Sequence, residues 1–183
     1  MFCYVDETGQ DTLGELFIVS VVVSGSDRDA LGSILEQIEQ RTGKGKVKWK
    51  SARHAFRVAY IQQVLSTTAF KQMLYFSTYK GSKAYMALTV LSTAKAILSA
   101  EPHHSATVYV DGLPKARLRW FGTELRRLSI RTEKVAGVRR EESDAFIRLA
   151  DACCGFVRQA LSGNQSLFEL FERAKGEGYL REV

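Results

Sequence analysis

The 183-residue sequence has only two prolines, three cysteines and no long hydrophobic run. So little proline, together with 45% hydrophobic residues, excludes a proline-rich disordered chain and favours a packed globular domain. The longest apolar run, at residues 16–23, is far shorter than the roughly 20 residues that a membrane-spanning helix needs. No basic segment followed by an apolar stretch opens the sequence, so we expect neither a signal peptide nor a membrane partner.

The cysteines show no spacing that is typical of a disulfide framework or a zinc site. Cys153 and Cys154 are adjacent, and Cys3 lies near the start of the chain. The number of thiols is odd, and no histidine stands at a zinc-ligand spacing from any of them. We therefore expect reduced, buried thiols and a cytoplasmic protein.

Basic residues outnumber acidic ones, and the formal net charge is +6. This excess admits DNA or RNA as a partner without requiring either. The densest basic segment, TGKGKVKWK at residues 42–50, has alternating lysines that would share one face of a strand and contact phosphates, while Trp49 would stack on unpaired bases. The alternative is ordinary solvated surface charge. The candidate nucleic-acid-binding residues are Lys48, Trp49, Lys50, Arg53 and Arg140.

Apolar runs alternate with helical periodicities along the chain, which predicts an α/β fold. Five strands are predicted near residues 2–5, 15–23, 70–79, 107–110 and 130–138. The short connection between the first two predicts an antiparallel hairpin, whereas helices separate the first strand from the fourth and permit a parallel pair. No linker is long enough to divide the chain, so we expect a single domain spanning residues 1–183.

The predicted helix at residues 141–161 is apolar over most of its surface, and Ser143 is its expected N-cap. Its narrow polar stripe, whose members recur at steps of three, four and seven residues, consists of Asp144, Arg148, Asp151 and Arg158. On a covered helix these carboxylates would line a cleft. The alternative is that they form ordinary ion pairs with Arg148 on a solvated face.

Two strands share one ending, Tyr4-Val5-Asp6 and Tyr109-Val110-Asp111. Ligand sites in open α/β sheets lie beyond the carboxyl ends of the strands, where two such aspartates would hold a divalent ion between them. A third carboxylate, from Asp144 or Asp151, would complete an oxygen-ligand site for magnesium or manganese. Two ions about 3.5–4 Å apart support phosphodiester cleavage. The alternative is that each aspartate merely ends its strand, which is common in turns.

Three motifs, YVDETG at 4–9, YVDG at 109–112 and SDAFIRLADACCGFVR at 143–158, resemble a largely bacterial family catalogued as domain of unknown function 3800. Thr8 departs from that family's Asp-Glu-Ser-Gly motif. The resemblance implies a ribonuclease-H-like, three-layer α/β domain with a mixed five-stranded sheet flanked by helices. Enzymes of that fold place acids on the first strand, the fourth strand and a late helix. By this resemblance the metal ligands are Asp6, Asp111 and Asp144 or Asp151, with Glu7 as a motif residue of open role.

Our leading hypothesis is a magnesium- or manganese-dependent nuclease that hydrolyses phosphodiesters of nucleic acid. Its catalytic residues would be Asp6, Glu7, Asp111, Asp144 and Asp151. The alternative is a catalytically silent module that binds nucleic acid or protein on the same fold. A third hypothesis is that the acids pair with Lys50, Arg140 or Arg148 and bind nothing.

Overall fold

The computed structural model describes residues 1–12, 15–101, 105–139 and 144–183. Its strands are β1 (Phe2–Thr8), β2 (Phe17–Ser24), β3 (Leu74–Tyr79), β4 (Ala106–Asp111), β5 (Thr132–Val138) and β6 (Leu180–Glu182). Its helices are α1 (Arg28–Arg41), α2 (His54–Val64), α3 (Tyr85–Ala100), α4 (Lys115–Arg127), α5 (Ala145–Leu161) and α6 (Gln165–Gly176). Short 3₁₀ helices lie at Gln10–Thr12, Trp49–Ser51 and Thr68–Phe70.

The strands form one mixed sheet in the order β5-β4-β1-β2-β3-β6. The pairing of β1 with β2 is antiparallel, which confirms the predicted hairpin, and β1 pairs with β4 in parallel. The sheet has six strands, so the prediction of five is wrong by one. The missed strand, β6, has only three residues and pairs in parallel with β3. A segment this short carries no alternation that a sequence pattern can detect.

Alternating side chains of β1 face two different layers of helices. Tyr4 belongs to the apolar cluster beneath α1, α2, α5 and α6, whereas Cys3 and Val5 belong to the cluster beneath α3 and α4. Helices therefore cover both faces of the sheet and make three layers. Since side chains alternate along a strand, Asp6 lies on the face of Tyr4, toward α5.

Helix α5 packs across β1 and β2 and is buried along most of its length. The predicted start at residue 141 and the predicted N-cap Ser143 lie outside the described residues. The observed N-cap is Asp144, whose Oδ1 accepts hydrogen bonds from the backbone N–H groups of Phe146 and Ile147 at 3.0 and 2.9 Å. This cap fixes the start of the helix at Ala145.

Residues 42–50 do not form the predicted strand. Gly43 and Gly45 have φ angles of +73° and +60°, which turn the chain back after α1. Lys44 is buried, with Nζ 3.3 Å from Glu39 Oε1, whereas Lys46 is exposed. The lysines therefore lie in different surroundings and share no face.

All three cysteines are buried free thiols, as the sequence predicts. Burial raises the pKa of Cys3 and of Cys153 to about 12, so both thiols stay protonated. Within the described ranges, no helix combines the length and the apolar character needed to cross a bilayer.

Candidate active site

Asp6 and Asp111 lie at the carboxyl ends of two neighbouring parallel strands. The register pairs Tyr4 with Tyr109, and on each strand the aspartate follows two residues later. Both aspartates therefore share the sheet face of those tyrosines, which is the face that α5 covers. Because adjacent strands lie about 4.8 Å apart, the shared strand ending brings the two carboxylates together.

Asp151 on α5 and the segment Lys48–Trp49 complete the cluster. Lys48 Nζ donates a hydrogen bond to Asp111 Oδ2 at 2.5 Å. The next residue, Trp49, donates its backbone N–H to Asp151 Oδ2, also at 2.5 Å. One segment of the chain thus contacts a carboxylate of β4 and a carboxylate of α5.

Glu7 lies at the edge of this cluster. Its Oε1 accepts a hydrogen bond from Gln10 Nε2 at 3.1 Å, and its buried Oε2 has no partner among the described residues. Burial and the neighbouring Asp111 raise the pKa of Glu7 to about 7. Because β1 continues through Glu7 to Thr8, the alternation of side chains places Glu7 on the face opposite Asp6. The Glu7 carboxyl is nevertheless close enough to Asp111 for the charge of Asp111 to raise its pKa.

The carboxylates perturb one another. Burial raises the pKa of Asp6 well above its ordinary value, and the charges of Asp151, Glu7 and Asp111 raise it further. Burial also raises the pKa of Asp151, although the Trp49 N–H and the Lys48 ammonium act against this. Acids that are distant in the sequence therefore lie close enough for their charges to interact, and clusters of this kind are frequent at functional sites.

Trp49 anchors the segment against α5 instead of facing solvent. Its side chain is buried, and a Cβ built on Gly155 would stand 2.5 Å from Trp49 Cγ and 2.6 Å from Nε1. The indole therefore occupies a notch in the surface of α5 at Gly155, where any larger residue would place its Cβ in the space of the ring. The guanidinium of Arg57 covers the ring, with Cζ 5.6 Å from its centroid. The prediction that Trp49 stacks on bases is wrong, because its ring already packs inside the protein.

A cleft of about 340 Å³ opens over the cluster. Both acidic and basic side chains line it, including Asp6, Glu7, Asp151, Lys50, Arg57 and Arg158. A larger cavity of about 590 Å³ lies at the opposite end of β1, beside Phe2 and Ser24. Chemistry, not size, identifies the smaller cleft as the candidate site, because the perturbed carboxylates line it.

The remaining predicted nucleic-acid-binding residues fall into three groups. Lys50 is exposed and lines the cleft, and Lys48 lies within the acid cluster. Arg53 is exposed beside Phe56, with Cζ 5.9 Å from the ring centroid, and it is not among the residues that line the cleft. Arg140 lies outside the described residues.

Asp144 does not join the other acids. Seven residues separate it from Asp151, which is about 10 Å along a helix. Its Oδ1 caps α5, and its Oδ2 lies 3.5 Å from Arg28 Nη2. Of the two candidate third ligands on this helix, the structure therefore brings only Asp151 to the cluster.

We expect Asp144→Ala to lower the free energy of unfolding by about 1 kcal/mol, because it removes an N-cap. Thermal or urea unfolding measures this loss. Because Asp144 lies apart from the cleft, any activity that depends on the acid cluster should be unchanged. Strong loss of such activity in a folded Asp144→Ala protein would show that the residue does act at the site.

The donor set of the cluster suits a hard divalent cation such as magnesium or manganese, because it consists of carboxylate oxygens. The raised pKa values of Asp6 and Asp151 reflect repulsion and burial that a bound cation would offset. In the part of the chain that the structure describes, however, no three acidic, histidine or cysteine side chains are arranged to hold an ion. Lys48 and the Trp49 N–H occupy oxygens of Asp111 and Asp151, and an ion using those oxygens has to displace them.

The fold is ribonuclease-H-like, a class of α/β domain with a mixed central sheet between layers of helices. The chain is similar to the crystal structure of ribonuclease H2 from Pyrococcus horikoshii OT3, with a TM-score of 0.61 and 12% identity over 96% of this chain and 77% of that one. It is also similar to the PCNA:RNase HII complex from Archaeoglobus fulgidus, with a TM-score of 0.53 and 16% identity over 94% of this chain and 76% of that one. At these identities the likeness establishes the fold alone. Neither a family model nor a curated protein matches the chain.

Proposed function

We propose that the protein is a divalent-metal-dependent phosphodiester hydrolase that acts on DNA or RNA. The observation that carries this proposal is the convergence of carboxylates from three separate elements: Asp6 and Asp151 line one cleft together with basic side chains, and Asp111 contacts the cleft residue Lys48. The likeness to ribonuclease HII structures supports a nuclease-type fold. The motifs that resemble the domain of unknown function 3800 support the fold on which this proposal depends more than the reaction itself.

Each part of the cleft has a role in this proposal. Asp6, Asp111 and Asp151 would hold a divalent ion, which when bound supplies an activated water and stabilises charge on the phosphate. Lys50, Arg57 and Arg158 would hold the substrate backbone through charge, without reading its sequence. Glu7 would orient water by accepting a hydrogen bond at Oε2, which has no partner among the described residues.

We expect Asp6→Asn to lower manganese-dependent cleavage by about 10–100-fold or more, because an amide is a neutral and poorer ligand than a carboxylate. The measurement is cleavage of labelled single- and double-stranded DNA and RNA oligonucleotides, with and without manganese. Asp144→Ala is the matched control, since it removes a carboxylate outside the cleft.

The Asp6→Asn protein is expected to stay folded. A carboxyl group whose pKa is raised on folding destabilises the folded state at every pH above its ordinary pKa, and the neutral amide removes that penalty. The Tm at neutral pH should therefore be unchanged or higher. Cleavage by Asp6→Asn at the wild-type rate, under conditions where the wild type needs manganese, would refute the proposal.

One observation favours a second candidate, a silent nucleic-acid-binding module. The Lys48–Asp111 ion pair already neutralises part of the cluster from within the chain. Such a module would show salt-dependent binding of DNA or RNA that survives both Asp6→Asn and Asp111→Asn, and it would show no cleavage with any divalent metal.

A further inference from the structure

Contacts within the protein already engage oxygens of three of the four clustered carboxylates. Asp111 Oδ2 accepts from Lys48, Asp151 Oδ2 accepts from the Trp49 N–H, and Glu7 Oε1 accepts from Gln10. Asp6 differs, because neither of its side-chain oxygens takes part in a hydrogen bond with any residue of the described ranges. Asp6 is therefore the one carboxylate of the cluster with no side-chain hydrogen bond among the described residues, and each of the other three has one oxygen bonded.

Lys48 is held in place at this point instead of moving freely at the surface. The Lys48 side chain is 29% exposed and the Asp111 side chain 9% exposed. Its neighbour Trp49 is fixed twice, by the hydrogen bond to Asp151 and by the notch at Gly155. An ammonium carried on such a segment is a permanent positive charge among the acids. This charge lies at the carboxyl ends of β1 and β4.

We infer that Lys48 is the built-in cation of the acid cluster and takes the place of a second divalent ion, so that the cleft binds a single ion. Two ions about 3.5–4 Å apart would have to share the oxygens of these few carboxylates, and among the four acids in the described structure only Asp6 has both side-chain oxygens free of hydrogen bonds. A single ion would take one oxygen from each of Asp6, Asp111 and Asp151, and these side chains have to adjust to reach it because the described structure does not group them around one point. The inference rests on the proposed function only in assigning a metal to these acids.

A positive side chain can perform part of the task of a metal ion at a phosphate. Lysine ammonium groups and divalent ions both stabilise charge that develops on a transferring or hydrolysed phosphoryl group. Lys48 lies beside Asp111 and lines the same cleft as Lys50 and Arg57, so it is placed to contact a bound phosphodiester.

Manganese binding to the metal-free protein, without substrate, tests the inference. Manganese is titrated into the wild type, Lys48→Met, Lys48→Arg and Lys46→Met, and bound ions are counted by electron paramagnetic resonance and calorimetry. We expect the wild type to bind a single ion, and Lys48→Met to bind a second ion or to bind the first at least about tenfold more tightly, because a nearby positive charge is gone. Lys48→Arg, which keeps the charge, and Lys46→Met, which removes an exposed lysine that does not line the cleft, should match the wild type.

Circular dichroism shows whether Lys48→Met is folded, and Lys48→Gln is the second variant if it is not. Two ions on the wild type would overturn the inference, as would equal stoichiometry and affinity in the wild type and the neutral variants, or no binding to any of them. Failure of the proposed function is a separate result. One ion without cleavage leaves the inference standing and removes the hydrolase, whereas two ions with cleavage do the reverse.

Discussion

Glu39→Gln is expected to lower the free energy of unfolding by about 3–5 kcal/mol, which is the typical effect of removing one partner from a buried ion pair. Glu39 is 1% exposed and sits between two cations. Its Oε1 and Oε2 accept from Arg148 Nε and Nη2 at 2.7 and 2.8 Å, and Lys44 Nζ lies 3.3 Å from Oε1. The amide would leave two buried positive side chains without their carboxylate.

The measurement is urea unfolding of the wild type and the variant at neutral pH, with Glu36→Gln as the matched control. Glu36 lies one helical turn before Glu39, and its side chain is 47% exposed, 3.2 Å from Lys46 and at the longer distance of 3.9 Å from Arg148. Replacing it should change stability by less than about 1 kcal/mol, because exposed ion pairs contribute little. Equal effects of the two substitutions would show that the buried triad does not hold α1 against α5.

This triad also explains a difference between the sequence-based expectation and the structure. The alternation of lysines at residues 42–50 suggested one basic face, and Arg148 fell on a polar helical stripe with Asp151. In the structure Lys44 and Arg148 turn inward to the same glutamate on α1. Local periodicity cannot reveal this, because the partners of Arg148 lie 109 residues away in the chain.

Part of the acid cluster can be predicted, because two of its members end strands with the same local sequence pattern. The two Tyr-Val-Asp endings are local patterns, and the rule that ligands bind beyond the carboxyl ends of strands places them together without knowledge of packing. The sequence identifies Lys48 only as a basic residue, because its contact with Asp111 spans 63 residues and no sequence motif predicts that contact. The choice between Asp144 and Asp151 likewise depended on where α5 begins, and a cap is among the least certain features of a sequence.

The buried position of Trp49 depends on a glycine in α5, Gly155, whose role the sequence does not reveal. Gly155 follows Asp151 by four residues and so falls on the polar stripe of the predicted helix, and no local pattern indicates why a helix interior should contain glycine there. The structure supplies the reason, because the indole ring lies against the helix at the position that a Cβ would occupy. This contact joins the segment that carries Lys48 to the helix that carries Asp151.

We expect Gly155→Ala to destabilise the protein by about 3 kcal/mol, at the upper end of the usual range for overpacking. The added Cβ would overlap the Trp49 ring, so the indole has to leave its notch. Moving Trp49 also breaks its backbone hydrogen bond to Asp151 and shifts Lys48 away from Asp111. Manganese affinity and any cleavage should therefore change together with stability, although residue 155 contributes no side-chain ligand.

Gly32→Ala is the control for this substitution, since it makes the same change in another helix. A Cβ at Gly32 would meet Phe146 Cε2 at 3.5 Å, an ordinary contact, so alanine should stabilise α1 by up to about 1 kcal/mol through its higher helix propensity. Urea unfolding and Trp fluorescence of both variants distinguish the two positions. Opposite signs at Gly32 and Gly155 are expected, because alanine favours a helix wherever nothing occupies the space of its methyl group. If Gly155→Ala were instead neutral, with unchanged indole fluorescence, the notch would not be what holds Trp49 and the lysine beside it.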